Sequence, residues 1–216
     1  MKSREVVIVD YGMGNLFSIE RAIVEANGEP LVSDDPHKIL SAERLILPGV
    51  GSFPKAREEL ERRNLIEPIY AFIHSGRPLL GICLGMQLLF SESEEFGISK
   101  GLNVIPGRVV RFRAPVDDDE RFKIPHIGWN HLKRCEKSWD RTILHGLPGE
   151  ERGTLVYFLH SYFVIPDDVS AVLAMTSYGL GPFYSVVSKY NVVGCQFHPE
   201  KSGEMGLRIY KNFLTA

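Results

Sequence analysis

The chain has few cysteines: Cys83, Cys135 and Cys195 are the three in 216 residues. An odd number without metal-ligand spacing excludes a disulfide framework and a cysteine-built metal centre, and it points to reduced thiols in a cytoplasmic protein. A long apolar run is missing too. The longest, near Leu155 to Pro166, is too short to cross a bilayer and contains His160, and the N-terminus enters an apolar stretch almost at once, so neither an anchor nor a signal peptide is expected. No one sign of charge prevails either: 25 Lys and Arg against 27 Asp and Glu leave a net charge of −2, which gives no electrostatic case for nucleic acid or an anionic membrane as partner. Apolar residues at 44% and charged residues at 24% are those of an ordinary globular protein, and the length fits one domain, 1–216, with a sizeable core.

What the sequence does hold is a repeated β-α order in its first half. Val6-Val7-Ile8-Val9 reads as a buried strand ending at Asp10, and Leu16, Ile19, Ile23 and Ala26 then keep a helical stripe with Asn15 as its cap. The loop between them contains Gly12-Met13-Gly14, but Phe17 stands where a dinucleotide fingerprint needs its third glycine, so the loop is weak support for a nucleotide site. A strand at Pro30 to Ser33, a short helix from Pro36 and a third strand at Arg44 to Leu47 follow, ending in Pro48-Gly49-Val50-Gly51-Ser52-Phe53. Ser52 can cap the next helix, whose charged residues, from Lys55 to Arg63, read as a solvated face, and Ile66, Ile69, Phe72 and Ile73 form a second helical stripe. This order predicts a mostly parallel sheet with helices on both faces and a site at the carboxyl ends of its strands.

Beyond Phe90 the pattern changes. Ser91 to Lys100 reads as a polar connection, and the short runs after it (Val104-Ile105, Val109 to Phe112, Ile127 to Leu132, Leu155 to Phe158, Tyr162 to Val164, Val172 to Met175, Tyr184 to Val187, Val192 to Phe197) read as strands, several of them antiparallel. Asp117-Asp118-Asp119-Glu120 reads as solvated loop, because consecutive acids cannot all face one ion and the pattern of a calcium loop is missing. Ile209, Tyr210 and Phe213 mark the apolar side of a last helix.

The stretch that organises the chain is Pro78-Leu79-Leu80-Gly81-Ile82-Cys83-Leu84-Gly85-Met86-Gln87. An apolar strand ends at Cys83, and helical spacing begins after it. Gly81 and Gly85 suit a sharp strand-turn-helix elbow, because a side chain at either position would collide with the neighbouring strand or the helix start. Such a turn lifts the sulfur out of the core and sets it at a helix N-terminus, where unpaired N–H groups favour a thiolate. A lone cysteine after an apolar strand is more often structural than catalytic. A second stretch changes that balance. His198-Pro199-Glu200 follows another apolar strand, and residues two apart in an extended segment share a side, so Glu200 is expected to reach the ring nitrogen of His198 that the thiol leaves free. Cys83 would attack, His198 would take and return the proton, and Glu200 would hold the imidazole.

Gly81, Cys83, Gly85 and Gln87 in the pattern G-x-C-x-G-x-Q, followed by His198-Pro199-Glu200, resemble the class I, triad-type glutamine amidotransferases. The resemblance implies a three-layer α/β fold, with antiparallel strands added to the parallel sheet in the C-terminal half. It also implies hydrolysis of glutamine through a γ-glutamyl thioester, without cofactor or metal. Pro48-Gly49-Val50-Gly51, together with Tyr11 to Asn15, Pro125 to Asn130 and Tyr157 to Tyr162, is similar to the glutaminase subunits of imidazole glycerol phosphate synthase. That narrower likeness implies the backbone N–H groups of Val50 and Leu84 as oxyanion donors and Gly51, Gln87, Ser161 and Tyr162 as glutamine contacts. His126 and His160 are read as hydrogen-bonded core histidines. The acidic loop at Ala114 to Arg121 is longer than this pattern leads one to expect.

Ammonia set free in neutral water is mostly protonated and no longer a nucleophile, so a glutaminase needs a partner that takes it directly. The chain ends soon after its last helix, so the acceptor site is expected on another polypeptide. The resemblance implies a (β/α)₈-barrel cyclase of histidine biosynthesis in a heterodimer, with Asn15, Trp129, Tyr157 and Lys201 at the rim against it. Two alternatives share much of this evidence. One is an amidotransferase subunit serving sugar modification in surface-polysaccharide synthesis, which would carry the same motifs; the other is a free-standing cysteine hydrolase, against which Gln87 and the order His198-Pro199-Glu200 argue.

Overall fold

A computed structural model describes residues 4–113, 123–150 and 153–215. The β-α alternation runs through β1 (Glu5–Val9), α1 (Leu16–Glu25), β2 (Glu29–Ser33), α2 (Pro36–Ser41), β3 (Leu45–Leu47), α3 (Phe53–Arg62), α4 (Ile66–His74), β4 (Leu79–Ile82) and α5 (Leu84–Leu88). The strands lie in the order β2-β1-β3-β4, all parallel, and β14 (Val192–Cys195) returns from the far end of the sequence to pair parallel with β4. Side chains on these strands alternate between two cores. Val6, Ile8, Ile46 and Leu80 pack with α1 and α6 (Gly203–Thr215), whereas Val7, Val9, Leu45 and Leu79 pack with α2 to α5. A strand buried on both faces has to be apolar at every position, which is why these strands read as unbroken Val/Ile/Leu runs.

The sheet continues from β14 through strands of the C-terminal half. β13 (Gly181–Lys189), β11 (Tyr162–Pro166), β7 (Ile105–Arg111), β5 (Phe90–Ser93) and β6 (Ser99–Lys100) follow in that spatial order, mostly antiparallel, and β12 (Val172–Tyr178) joins β13 and the short β9 (Lys133–Arg134). A separate antiparallel ribbon pairs β8 (His126–His131) with β10 (Leu155–His160), Trp129 facing Tyr157. No helix among the described residues is long and apolar enough to cross a membrane.

Several details differ from the sequence reading. Ser91 to Lys100 is not a plain connection but the β5-β6 hairpin, turned at Phe96 (φ 56°) and Gly97 (φ 104°). Its strands are short and polar because they close the sheet edge, so no apolar run announces them. Val104-Ile105 and Val109 to Phe112 largely merge into the single strand β7, which passes through Gly107 at φ 141°. Asn15 and Ser52 stand at the predicted cap positions without making a side-chain cap bond. At α3 the helix-start donor Phe53 N–H instead meets Glu95 Oε2 at 2.7 Å. The acidic run Asp117 to Glu120, with the whole loop from Ala114 to Arg121, lies outside the described residues.

Candidate active site

Cys83 sits at the tip of the β4-α5 elbow with φ 53° and ψ −109°, a conformation L-residues adopt only when their surroundings impose it. Here the surroundings are tight. The Cys83 N–H is held by the Cys195 carbonyl at 2.8 Å, and a Cβ on Gly85 would strike the Leu47 carbonyl oxygen. On Gly81 it would come within 2.9 Å of the Met86 nitrogen, and on Gly49 within 2.8 Å of the Gly85 nitrogen. Glycine at these three positions lets the elbow close on the neighbouring strand and on the 48–51 loop. Leu84 opens α5, so its N–H is one of the donors a helix start leaves without an internal partner.

His198 follows β14, and its backbone is tied to the ribbon. Its N–H donates to the Tyr157 carbonyl at 2.9 Å, while the Ser202 hydroxyl donates to the His198 carbonyl at 2.6 Å and accepts the Tyr157 N–H at 3.0 Å. Its Nδ1 meets Glu200 Oε1 at 2.8 Å, both side chains being almost wholly buried. The contact is the predicted one, but the route differs: the strand stops at Cys195, and Pro199–Lys201 is a 3₁₀ turn, so the turn rather than an extended i, i+2 spacing brings Glu200 back to the ring. The other nitrogen, Nε2, is buried without a hydrogen-bond partner among the described residues. Burial opposes a charge on His198, but the Cys83 sulfur and the Glu200 carboxylate outweigh it and push the imidazole up to about 10. A cationic imidazole beside a thiolate is the arrangement of an activated cysteine nucleophile.

Thiol and imidazole open into a cavity of about 240 Å³, which Val50, Gly51, Leu84, Gln87, Ser161 and Tyr162 also line. The eight cavity positions expected from the sequence are thus in one place, with Glu200 behind His198. A larger hollow of about 410 Å³, walled by Arg108, Arg111, Phe163 and Pro182 among others, has no thiol or imidazole in its lining. Within the smaller cavity Gln87 Nε2 donates to the Tyr162 carbonyl and to Gln196 Oε1, each at 3.0 Å. Gln196 Nε2 in turn lies 3.5 Å from Cys83 Sγ.

The Tyr162 carbonyl also accepts from His160 Nδ1 at 2.8 Å, and His160 Nε2 meets His126 Nδ1 at 3.1 Å. Burial pushes His160 down to about 3 and His126 to about 4, so both rings are neutral at physiological pH. Their tautomers follow from the chain of bonds: His160 spends its proton on the carbonyl, and His126 must donate to the nitrogen left over.

Sequence reasoning passed over Glu95 and Gln196. Glu95 lines the cavity and is hidden in a stretch that reads as polar loop. Gln196 is fully buried, and its signal was available as a polar residue set into an apolar strand run. Of the rim candidates, three are neighbours: Trp129, 53% exposed, meets the Tyr157 ring edge-on at 6.0 Å, and Lys201 Nζ sits 5.7 Å from the centre of the same ring. Asn15, partly exposed, opens α1, which packs beside the Pro199–Lys201 turn.

Residues 7–216 match the family model of the class I glutamine amidotransferases. The chain is 48% identical over 209 residues to the imidazole glycerol phosphate synthase subunit HisH of Syntrophotalea carbinolica, covering 96% of this chain and 98% of that protein. It is 45% identical to the HisH subunit of Geobacter sulfurreducens, with 97% of both chains covered, and 48% identical to that of a Geobacillus species, covering 96% of this chain and 95% of the relative. Among solved structures, PurLQS from Thermotoga maritima superposes with a TM-score of 0.70 at 22% identity, over all of this chain and 99% of that one. A structure described as a glutamine amidotransferase gives a TM-score of 0.69 at 18% identity, over 97% of this chain and 99% of that one. These two are likenesses of fold.

Proposed function

The chain belongs to the class I glutamine amidotransferases, and from that premise we propose that it is the glutaminase subunit of an imidazole glycerol phosphate synthase. The observation that carries this reading is the meeting of Cys83 and the Glu200-held His198 in one cavity with Gln87, Ser161 and Tyr162. Near full-length identity to HisH subunits supports the pathway. In this reading residues 1–216 form one cytoplasmic glutaminase domain.

Glutamine enters with its side-chain amide towards Cys83. The backbone N–H groups of Ser161 and Tyr162 and of Gly51 hold its carboxylate. Gln87 Nε2 already serves Tyr162 and Gln196, so its Oε1 is free to accept from the substrate's ammonium group. Glu95, raised by burial and with Oε2 engaged by Phe53 N–H, adds a carboxylate to the same end of the cavity. The thiolate adds to the amide carbon, and the N–H groups of Leu84 and Val50 take the developing oxyanion. His198 then gives its proton to the departing nitrogen, ammonia leaves, and a γ-glutamyl thioester remains on Cys83. Water attacks that thioester with His198 as base, glutamate forms, and the sulfur leaves with its electron pair. Glu200 keeps the imidazole oriented and offsets its charge. No step calls for a cofactor or metal.

The ammonia passes to a partner subunit, which in this reading is a (β/α)₈-barrel cyclase docked as a heterodimer over Asn15, Trp129, Tyr157 and Lys201. The outer face of the β8-β10 ribbon supports that surface: Ile127, Trp129, Leu155 and Leu159 are exposed apolar residues on it. The test is glutamate production by the chain alone, with a barrel cyclase of the histidine pathway, and with that cyclase and its nucleotide substrate. Stimulation by the loaded cyclase is expected. A bound cyclase that leaves turnover unchanged would favour the sugar-modifying assignment, and full turnover by the chain alone would favour a free-standing hydrolase.

A further inference from the structure

Gln196 is fully buried on the link between β14 and His198, and its side chain joins two residues of the site. The orientation of its amide can be deduced from a backbone atom. The Tyr162 carbonyl can only accept, so Gln87 must present Nε2 to it, at 3.0 Å. That same nitrogen lies 3.0 Å from one end of the Gln196 carboxamide, which must therefore be the oxygen. The remaining end is Nε2, a donor, and it is 3.5 Å from Cys83 Sγ. The sulfur also lies 3.8 Å from the Leu159 carbonyl, an acceptor suited to a thiol S–H. The two neighbours thus suit the two roles of a cysteine sulfur, an acceptor to Gln196 and a donor to Leu159.

A thiol is a weak acceptor, whereas an N–H aimed at a thiolate makes a charge-assisted bond. We infer that Gln196 is a catalytic residue outside the Cys83-His198-Glu200 set: its Nε2–H holds the Cys83 thiolate in place for attack, and its Oε1 keeps Gln87 turned towards the substrate. The inference rests on Cys83 being the nucleophile. Attack uses the sulfur's electron pair to form the S–C bond, so the donor's hold weakens as the thioester forms. Hydrolysis of the thioester returns the pair to sulfur when the S–C bond breaks, and the same N–H stabilises the departing thiolate. One amide therefore assists both halves of the cycle without changing protonation state.

The experiment is alkylation of Cys83 by iodoacetamide as a function of pH, located by peptide mass, in the whole chain without glutamine. Wild type is compared with Gln196→Glu and Gln196→Met. The glutamate keeps an acceptor for Gln87 and loses the donor to sulfur; methionine keeps the volume with neither, and it decides the matter if the buried carboxylate prevents folding. Losing the donor is expected to slow alkylation of Cys83 about threefold near neutral pH and not at high pH. General loosening of the fold would move both ends of the profile together. Profiles of the folded variants that superpose on wild type would overturn the role of Gln196. A wild-type Cys83 no more reactive than Cys135 would overturn the nucleophile reading, and this inference with it.

Discussion

Glu200 acts on His198 through one oxygen at 2.8 Å, and the other, Oε2, is buried without a hydrogen-bond partner among the described residues. Glu200→Gln can keep an acceptor on Nδ1 but removes the charge that helps hold the imidazole protonated. We expect kcat for glutamine to fall at least about a hundredfold with KM little changed, because orientation survives and transition-state charge stabilisation does not. Steady-state kinetics with the partner present would decide it; an unchanged kcat would leave Glu200 a structural residue. At this scale the site was legible where residue type and spacing are both demanded by the chemistry. Cys83 needs its flanking glycines, and His198 needs a carboxylate within reach. Glu95 was not legible, and Gln196 showed only as a polar residue in an apolar run: an amide or a carboxylate has many uses, and only three-dimensional contacts say which.

Each element contributes to the site by how closely it approaches the next. Gly85 lies against the Leu47 carbonyl so tightly that Gly85→Ala must displace either the elbow or β3. A loss of about 3 kcal/mol or more in urea unfolding is expected, since backbone rather than a flexible side chain stands in the way. The 48–51 loop allows a milder test. Val50 is 40% exposed, and Val50→Pro removes only an N–H and some freedom of the loop. If that N–H serves the oxyanion, partner-stimulated turnover falls about a hundredfold while the urea midpoint moves little. Turnover equal to wild type in a folded variant would rule the role out.

Ser202 links the ribbon to the His198 segment by accepting the Tyr157 N–H and donating to the His198 carbonyl. Ser202→Ala leaves the Tyr157 N–H short of its partner, while the His198 carbonyl keeps the Lys201 N–H at 3.0 Å; the cost is about 1–3 kcal/mol, and stimulated turnover is expected to fall more than basal turnover. Elements were legible from the sequence where burial on two faces forces apolar runs, as in β1, β3 and β4. The β5-β6 hairpin was not, because a polar edge strand resembles a loop until its partner is seen, and the 3₁₀ turn after His198 was masked by the extended bias that Pro199 places on its predecessor.

For the whole molecule, three buried histidines shape stability against pH from opposite sides. His126 and His160 sit at about 4 and about 3 when folded, below the ordinary 6.5, so unfolding lets them bind protons. Their contribution is complete above the unfolded value and is lost as pH falls from there through about 4 for His126 and about 3 for His160, at up to about 1.4 kcal/mol per pH unit for each ring. His198, raised to about 10, works the other way: its contribution is complete below the unfolded value and is lost as pH rises from there through about 10. Urea midpoints across this range should therefore peak near neutral pH and decline on both sides. His160→Asn keeps a nitrogen donor for the Tyr162 carbonyl and cannot titrate, so its acid limb should be shallower. An acid limb identical to wild type would mean that these rings are not held neutral.

The parallel half of the sheet delivers the elbow and β14 side by side, and the antiparallel half brings the Ser161-Tyr162 segment over the cavity they form. In the proposed reading this junction makes a covalent intermediate on Cys83. The direct measurement is the mass of the Cys83 peptide after acid quench during glutamine turnover with the partner bound. A γ-glutamyl adduct on that peptide, absent in Cys83→Ala together with glutamate production, is the predicted result. Glutamate formation that persists in Cys83→Ala, or wild-type turnover caught at every time with no adduct and no effect of thiol alkylation, would contradict it.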